Sequence, residues 1–271
     1  MSTLQQRIAI ITGASAGIGE AVAADFAERG YRMVLNARRV EKLEAVAFRL
    51  EKRPTPASPP TVVCVPGDAS EQRVIDAMFD AAEKNFHRAA DLVVVNAGRG
   101  LAGSLTTSDQ TQWEEVLRTN YVGAARLMRT ASERLLGVLD RNPEGETGKT
   151  GEWLSRPRDI VAIGSSVGRN ISPFSSMYGS TKFAVHALAE ALRREIGPKG
   201  VRVTTIEPAI VASEFQAAAG YDPVGFGAFM EKIGPVLVPA DVARTIGFIV
   251  SQPAHVHLNN VAIRPTRQDY P

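Results

Sequence analysis

Two side chains that can exchange a proton, Tyr178 and Lys182, lie four residues apart on a predicted helix. Residues at this spacing share one face of an α-helix. A tyrosine ordinarily titrates at about pH 10, which is too high for acid–base work at neutral pH. A nearby ammonium group lowers that pKa because it stabilises the phenolate. The pair therefore predicts a site of proton transfer.

A glycine-rich turn near the start of the chain predicts a phosphate-binding cradle. The segment Thr-Gly-Ala-Ser-Ala-Gly-Ile-Gly at 12–19 follows an apolar run and precedes a helical pattern. Glycine lacks the Cβ that would block a phosphate, and the helix N-terminus offers unpaired N–H groups. Strand, glycine turn and helix in this order favour dinucleotide binding. We expect the contacts to come from Gly13, Ser15, Ala16, Gly17, Ile18 and Gly19.

The end of the second predicted strand indicates which dinucleotide is bound. NAD-preferring folds place a carboxylate there to bind the ribose 2′-hydroxyl. Here the segment 35–39 reads Leu-Asn-Ala-Arg-Arg, and the first carboxylate is Glu41. An arginine can pair with a 2′-phosphate through two hydrogen bonds. We therefore predict NADP(H), with Arg38 as the main contact and Arg39 as its support.

The elements that must position these residues alternate along the chain. Apolar, β-branched runs occur at 7–11, 32–35, 61–65, 92–95, 159–163, 201–206 and 260–263. Most are nearly continuous, which is typical of strands covered on both faces in a parallel sheet. Helical patterns lie between them at 20–29, 40–50, 71–86, 112–136 and 182–196. The alternation predicts one doubly wound α/β domain of Rossmann type over 1–271, with a mostly parallel seven-stranded sheet.

Two segments are predicted to leave this framework as surface excursions. The segment 52–60 contains four prolines and should be an extended loop. The segment 141–157 is rich in glycine, proline and charge, and falls between a long helix and a strand.

Composition excludes several function classes. The net charge of the 271 residues is only +2 and no dense Lys/Arg block occurs, so we expect no nucleic-acid partner. The single cysteine, Cys64, excludes an internal disulfide and fits a reducing compartment. The first apolar run is too short for a signal core or a membrane span, so we expect a soluble, cytoplasmic protein without a membrane partner. No metal site is expected, because the four histidines are not arranged as metal ligands. We interpret them as surface or packing residues; they are His87, His186, His255 and His257.

Taken together, these motifs resemble the short-chain dehydrogenase/reductase family over essentially the whole chain. The 12–19 turn is similar to the family's nucleotide motif, and Gly-Asp-Ala at 67–69 to its adenine-contacting element. Val-Asn-Ala-Gly at 95–98 is similar to the family's Asn-Asn-Ala-Gly. Pro-Ala-Ile-Val-Ala-Ser at 208–213 resembles its Pro-Gly-x-x-x-Thr. The resemblance adds these cofactor contacts: Asp68, Ala69, Asn96, Ala97, Gly98, Tyr178, Lys182, Pro208, Ala209, Ile210 and Ser213.

The same resemblance supplies a catalytic set. Ser165 stands thirteen residues before Tyr178, as in the family, and Asn120 stands where the family keeps an asparagine. The resemblance implies that Tyr178 gives a proton to a substrate carbonyl during reduction and takes it back during alcohol oxidation. Ser165 would bind the same oxygen, Lys182 the ribose hydroxyls, and Asn120 a water that links Lys182 to solvent.

The substrate is left open between two classes. The stretches 163–169, 178–185 and 263–266 resemble a branch with NADP-dependent serine and 3-hydroxy-acid dehydrogenases, which implies a small 3-hydroxy acid. A carbonyl reductase of larger aldehydes, ketones or 3-oxoacyl compounds is the alternative, and a non-catalytic NADP(H) sensor is a third reading. The family habit implies a homotetramer or homodimer. Side chains available to line the pocket are Arg99, Arg169, Phe174, Phe215 and Tyr221.

Overall fold

Seven strands form one sheet in a computed structural model that describes residues 6–52, 61–140 and 152–269. Their order across the sheet is β3-β2-β1-β4-β5-β6-β7. Every neighbouring pair is parallel, so the predicted α/β architecture is confirmed and the sheet is parallel throughout. The strands are β1 (Ile8–Thr12), β2 (Arg32–Ala37), β3 (Val62–Pro66), β4 (Leu92–Val95), β5 (Arg158–Ile163), β6 (Val201–Pro208) and β7 (Asn260–Ile263).

Helices connect the strands. They are α1 (Gly17–Glu28), α2 (Val40–Glu51), α3 (Gln72–Phe86), α4 (Trp113–Leu117), α5 (Ala124–Asp140), α6 (Glu152–Ser155), α7 (Ser176–Ile196), α8 (Phe215–Ala218), α9 (Pro223–Ile233) and α10 (Pro239–Val250). The helix expected at 112–136 is interrupted between α4 and α5 by a π-helical segment, Arg118–Gly123. The helix expected at 182–196 begins earlier, at Ser176, so that Tyr178 lies in its first turn. The sequence analysis did not predict α8, α9 or α10.

Apolar side chains cover both faces of the sheet. On one face Phe26 of α1, Ile246 of α10 and Ile11 of β1 belong to one buried apolar cluster. On the other, Met78 of α3 and Leu127 of α5 belong to the second apolar cluster. Burial from both sides explains why the central strands read as continuous apolar runs.

The carboxyl ends of the strands form the edge where a ligand is expected. The chain order reverses beside β1, which pairs with β2 on one side and β4 on the other. In open α/β sheets ligands bind outside the carboxyl ends at such a switch point. Of the two predicted excursions, residues 53–60 and 141–151 lie outside the described part of the chain.

Candidate active site

A cleft of about 1140 Å³ opens along the carboxyl ends of the strands. Almost every residue predicted for the site lines it. These are Gly13, Ser15, Ala16, Gly17, Ile18, Arg38, Arg39, Asp68, Ala69, Asn96, Ala97, Gly98, Ser165, Tyr178, Lys182, Pro208, Ala209, Ile210 and Ser213. Gly19 and Asn120 do not line the cleft. They contact residues that do, Gly13 and Arg99 respectively.

The glycine turn after β1 has the shape of a phosphate cradle. Gly17 has a φ of +61° and begins α1, and a Cβ added there would meet only the Ser213 side chain, at 3.8 Å. Its outer surface therefore faces the cleft. Ala16, the residue that caps α1, offers no side-chain acceptor to the first N–H groups of the helix. Those N–H groups and the open surface of Gly17 fit an anionic phosphate.

The other two glycines of the turn serve close packing. A Cβ on Gly13 would lie 2.8 Å from the Asn96 side-chain nitrogen, and one on Gly19 would lie 2.3 Å from the Gly13 carbonyl oxygen. Asn96 in turn donates to the Thr12 carbonyl oxygen at 2.8 Å. The turn after β4 is thereby locked to the turn after β1.

The two arginines after β2 lie at the mouth of the cleft, and both are paired. Arg38 contacts Glu115 of α4 at 3.3 Å, and Arg39 contacts Glu214 at 2.9 Å. Arg39 also donates to the Ser15 hydroxyl at 3.2 Å. Arg38 is 60 % exposed, and exposed ion pairs contribute little free energy. Either arginine can therefore exchange its carboxylate for a stronger anion.

The predicted proton-transfer residues meet inside the cleft. Tyr178 and Lys182 on α7 and Ser165 after β5 are all buried. The Lys182 ammonium nitrogen lies 5.7 Å from the centre of the Tyr178 ring and donates to the Ile163 carbonyl oxygen at 2.7 Å. The predicted helix face is thus present and points at the cleft.

Burial shifts the titration of both groups. It raises the pKa of Tyr178 above its ordinary value, contrary to the lowering expected from the nearby ammonium, and a hydrogen bond with Ser165 only partly offsets the rise. Burial lowers the pKa of Lys182 to about 8. At neutral pH the phenol is therefore protonated and able to donate, and Lys182 is still charged beside it.

Ser165 is held by its backbone as well as by its side chain. Its hydroxyl accepts from the Val167 N–H at 3.3 Å and so caps a 3₁₀ turn, Ser166–Gly168. Its own N–H donates to the His186 Nε2 atom at 3.2 Å. His186 was expected to be an ordinary surface or packing residue, and the structure places it directly behind Ser165.

Asn120 lies in the π-helical segment with its side chain fully engaged. The Oδ1 atom accepts from the Arg99 N–H at 2.8 Å, and the Nδ2 atom donates to the Arg99 carbonyl oxygen at 2.8 Å. Nδ2 also donates to the Thr181 hydroxyl at 3.1 Å. The side chain therefore joins the loop after β4 to α7, next to Lys182.

Aromatic rings form the substrate end of the cleft. Phe174, Phe215 and Tyr221 line it as expected, together with Phe226 and Phe229, which the sequence analysis did not single out. The Phe215 ring centre lies 5.5 Å from that of Tyr178. This aromatic wall therefore lies against Tyr178, the predicted proton-transfer residue.

The two arginines expected near the substrate are both committed elsewhere. Arg99 lines the cleft but is hydrogen-bonded to Glu115 and Gln112. Arg169 is not among the lining residues and makes two hydrogen bonds, of 2.8 and 2.6 Å, to buried Glu207. Neither presents a free guanidinium to a substrate carboxylate.

Comparison with known proteins decides the family. A sequence model described as short chain dehydrogenase matches residues 7–223. The chain belongs to the short-chain dehydrogenase family. It is therefore an oxidoreductase that acts on CH–OH groups with a nicotinamide cofactor.

Similar proteins support this assignment over nearly the full length of the dehydrogenase. A protein named uncharacterized oxidoreductase from Staphylococcus aureus (strain USA300) is 30% identical over 98% of this chain and 100% of its own. A structure of the closed form of serine dehydrogenase complexed with NADP+ has a TM-score of 0.79 and 26% identity, covering 97% of this chain and 96% of that one. A 3-ketoacyl-(acyl-carrier-protein) reductase from Brucella melitensis complexed with NADH shares the fold, with a TM-score of 0.80, 22% identity, and 98% and 99% coverage.

No helix among residues 6–52, 61–140 and 152–269 is long and apolar enough to cross a membrane. Within the same ranges, no group of three or more His, Cys, Asp or Glu side chains is arranged to hold a metal ion.

Four features of this dehydrogenase's site lay outside the sequence reasoning. They are the carboxylates Glu115 and Glu214, the rings of α9, and the contact of His186 with Ser165. Only the contact of His186 had a sequence signal, because it follows Lys182 by four residues and shares its helix face.

Proposed function

We propose that this dehydrogenase interconverts a carbonyl and a secondary alcohol with NADP(H), and that Tyr178 is its proton donor and acceptor. The observation that carries the proposal is the buried phenol of Tyr178, which lies with Ser165 and Lys182 in the cleft. A non-catalytic sensor of NADP(H) has no need of this arrangement.

NADP(H) is favoured over NAD(H) by the charges at the end of β2. Arg38 and Arg39 line the cleft there, and no carboxylate lies between Asn36 and Arg39. The serine dehydrogenase of similar structure is complexed with NADP+. When bound, NADPH supplies the hydride, and the residues of this chain orient the reactants and handle the proton.

The side chains divide the work at the substrate oxygen. Tyr178 donates the proton, a contribution that is typically about 10²–10⁴-fold in rate. The Ser165 hydroxyl stabilises the negative charge that develops on the same oxygen. The Lys182 ammonium favours the phenolate that Tyr178 becomes, and it binds the ribose hydroxyls. Asn120 keeps the loop after β4 against α7. It also anchors a water that links Lys182 to solvent.

The aromatic wall favours the larger carbonyl compounds among the substrate classes that the sequence left open. Phe174, Phe215 and Phe229 suit an apolar substituent on the carbonyl carbon. A small 3-hydroxy acid needs a free cation, but Arg99 is held by both Glu115 and Gln112. Arg99 is also much less exposed than Arg38. This acid remains the second candidate because serine dehydrogenase is a structural neighbour and Arg99 does line the cleft.

The test is a set of initial rates of NADPH and NADH oxidation with matched carbonyl substrates. Aryl and alkyl ketones and aldehydes are compared with 3-oxo acids of the same length. We expect higher kcat/KM with NADPH and with the apolar series. Faster turnover of the 3-oxo acids would move the assignment to the hydroxy-acid class, and cofactor binding without any turnover would favour the sensor.

Arg38→Ala tests the cofactor assignment separately. A hydrogen bond to a charged group contributes about 1.5–3 kcal/mol, so the KM for NADPH should rise about 10- to 100-fold. The KM for NADH should not change. Arg49→Ala is the matched control, because Arg49 pairs with Glu20 outside the cleft. A preference for NADH in the unaltered enzyme would contradict the assignment.

A further inference from the structure

The ring of His186 occupies a slot that two glycines leave open. A Cβ on Gly164 would lie 2.1 Å from the His186 Nε2 atom, and a Cβ on Gly168 would lie 2.6 Å from the ring. Gly164 and Gly168 flank the turn that carries Ser165. The imidazole therefore packs directly under this turn, on the side away from the cleft.

The hydrogen bonds of His186 define its protonation. Its Nε2 atom accepts the Ser165 N–H at 3.2 Å, which requires an unprotonated Nε2. Its Nδ1 atom then carries the proton and faces the Glu207 carboxylate, 3.9 Å away. Glu207 is buried and is fixed by two hydrogen bonds from Arg169. A chain of contacts thus runs from Arg169 through Glu207 and His186 to the backbone of Ser165.

We propose that neutral His186 is a positioning residue, which holds the N–H of Ser165 so that the serine hydroxyl stays aimed at the substrate oxygen. The inference rests on the proposed function of Ser165. It assigns the role to one nitrogen, Nε2, and to one protonation state.

Protonation of His186 reverses the contact. A second proton on the ring turns Nε2 into a donor that meets the Ser165 N–H, and the hydrogen bond is lost. The charged groups that face the ring are Glu207 from β6, Arg169 from the turn after β5, and Lys182 from α7. Burial lowers the pKa of His186, Glu207 opposes this, and the charges of Lys182 and Arg169 add to it. The neutral form is therefore kept at neutral pH, and activity should fall on the acid side of histidine's ordinary pKa.

Two substitutions separate positioning from packing. His186→Leu fills the slot but has no acceptor, and we expect kcat to fall about 10- to 100-fold, as for a small misplacement of a reacting group. The KM for NADPH should stay the same. His186→Gln offers an amide oxygen near the position of Nε2 and does not titrate. It should recover most of the lost kcat and should lack the acid limb of the pH profile.

His257→Gln is the matched control. His257 is also partly buried, has a pKa lowered by burial, and bonds the Val203 carbonyl oxygen at 2.9 Å outside the cleft. This variant should keep both the kcat and the acid limb. An unchanged kcat and pH profile in His186→Leu, or an acid limb that persists in His186→Gln, would overturn the positioning role.

An NMR measurement without substrate tests the contact of His186 with Ser165 independently of the proposed function. In the 15N-labelled enzyme, the Ser165 amide resonance should shift with pH in step with the His186 ring, and the shift should vanish in His186→Gln. A Ser165 amide that ignores the titration of His186 contradicts the hydrogen bond itself. Absence of turnover in the unaltered enzyme, with the amide shift present, would instead refute the proposed function alone.

Discussion

The buried charges at the amino ends of the strands are paired, whereas one buried charge at the carboxyl ends, Lys182, has no carboxylate partner in the described part of the chain. At the amino ends of the strands, Asp159 accepts two hydrogen bonds from Arg202, at 2.6 and 2.9 Å, and lies 2.8 Å from Arg7. Arg7 also pairs with Asp91 at 2.9 Å. At the carboxyl ends, no ion pair in the described part of the chain includes buried Lys182.

From this difference we expect the amino ends of the strands to contribute mainly to stability and the carboxyl ends mainly to function. Buried charges that are fully paired hold the amino ends together, because removing one partner leaves the other without compensation. A buried ammonium without a carboxylate costs folding free energy, and the hydrogen bond from Lys182 to the Ile163 carbonyl oxygen offsets part of that cost. The comparison predicts that substitutions at the amino ends lower stability and spare catalysis, whereas substitutions at the carboxyl ends do the reverse.

The largest expected effect is on catalysis, from Tyr178→Phe. Loss of the phenolic proton should reduce kcat by about 10²–10⁴-fold, with little change in Tm. Tyr31→Phe is the control, because Tyr31 packs against Phe26 outside the cleft. Near-normal turnover by Tyr178→Phe would show that catalysis does not need the phenol at the carboxyl ends of the strands.

The next effect is on stability, from Arg202→Met. Arg202 is buried and bonds both oxygens of Asp159 and the carbonyl oxygens of Gln252, Pro253 and Val256. Breaking such a pair costs about 3–5 kcal/mol. A loss of that size lowers Tm by about 10 °C in a protein of this length. The kcat of the folded enzyme should be retained.

Thermal unfolding beside Arg194→Met checks this prediction. Arg194 is exposed and pairs with Glu190, so its loss should cost less than about 0.5 kcal/mol. Equal Tm values for the two variants would show that the amino-end network does not stabilise the fold.

A smaller effect of opposite sign is expected from Lys182→Met. Methionine has a similar length and removes the buried charge, so the free energy of unfolding at pH 7 should rise by about 1–2 kcal/mol while turnover is lost. The folded pKa of about 8 lies below the unfolded value of about 10.4. The unfolded chain binds more protons between these values, so the stability of the unaltered enzyme rises with pH across this window.

The advantage of Lys182→Met should therefore be full below about pH 8 and vanish near pH 10.4. Urea unfolding at a series of pH values measures it, with exposed Lys199→Met as the control. A variant that is less stable at pH 7 would mean that the hydrogen bond to Ile163 outweighs the cost of burying the charge.

The smallest effect is expected at the rim of the cleft, from Glu115→Gln. The exposed pair with Arg38 is worth at most about 1 kcal/mol, so releasing it should lower the KM for NADPH by no more than about 5-fold. The KM for NADH should stay constant, because the 2′-phosphate is the group that competes with Glu115. Glu133→Gln, which alters an exposed pair on α5, is the control. A raised KM for NADPH would show that Glu115 orients Arg38 instead of competing for it.

Much of the fold was predictable because its signals are local. The β-branched runs placed all seven strands to within two residues at their ends. Of the missed elements, α10 had local signals in Pro239 at its start and in a helical apolar period that buries Val242, Ile246 and Ile249, whereas the π-helical segment and α9 lacked them. The π-helical segment lies inside one long helical pattern and buries only Asn120 and Gly123, so no apolar residue marks it, and α9 contains two glycines within an aromatic-rich pattern.

The site was predictable to the same extent. The glycine turn, the arginines after β2 and the pair Tyr178 and Lys182 are short motifs, and the structure brings them into one cleft. Their partners were hidden, because Glu115 and Glu214 lie 77 and 175 residues from the arginines that they contact.

The sequence by itself determined the order of the seven strands and of the longer helices as far as α7, the glycine turn after β1, and the candidate pair Tyr178 and Lys182. Each depends on periodicity or spacing within one element and its turn. Tertiary structure alone decided which charges are paired, which aromatic rings line the cleft, and that His186 contacts the Ser165 N–H. The physical reason is that these properties arise from contacts between distant segments, and a side chain's burial and partners are set only when the sheet brings its strand ends together.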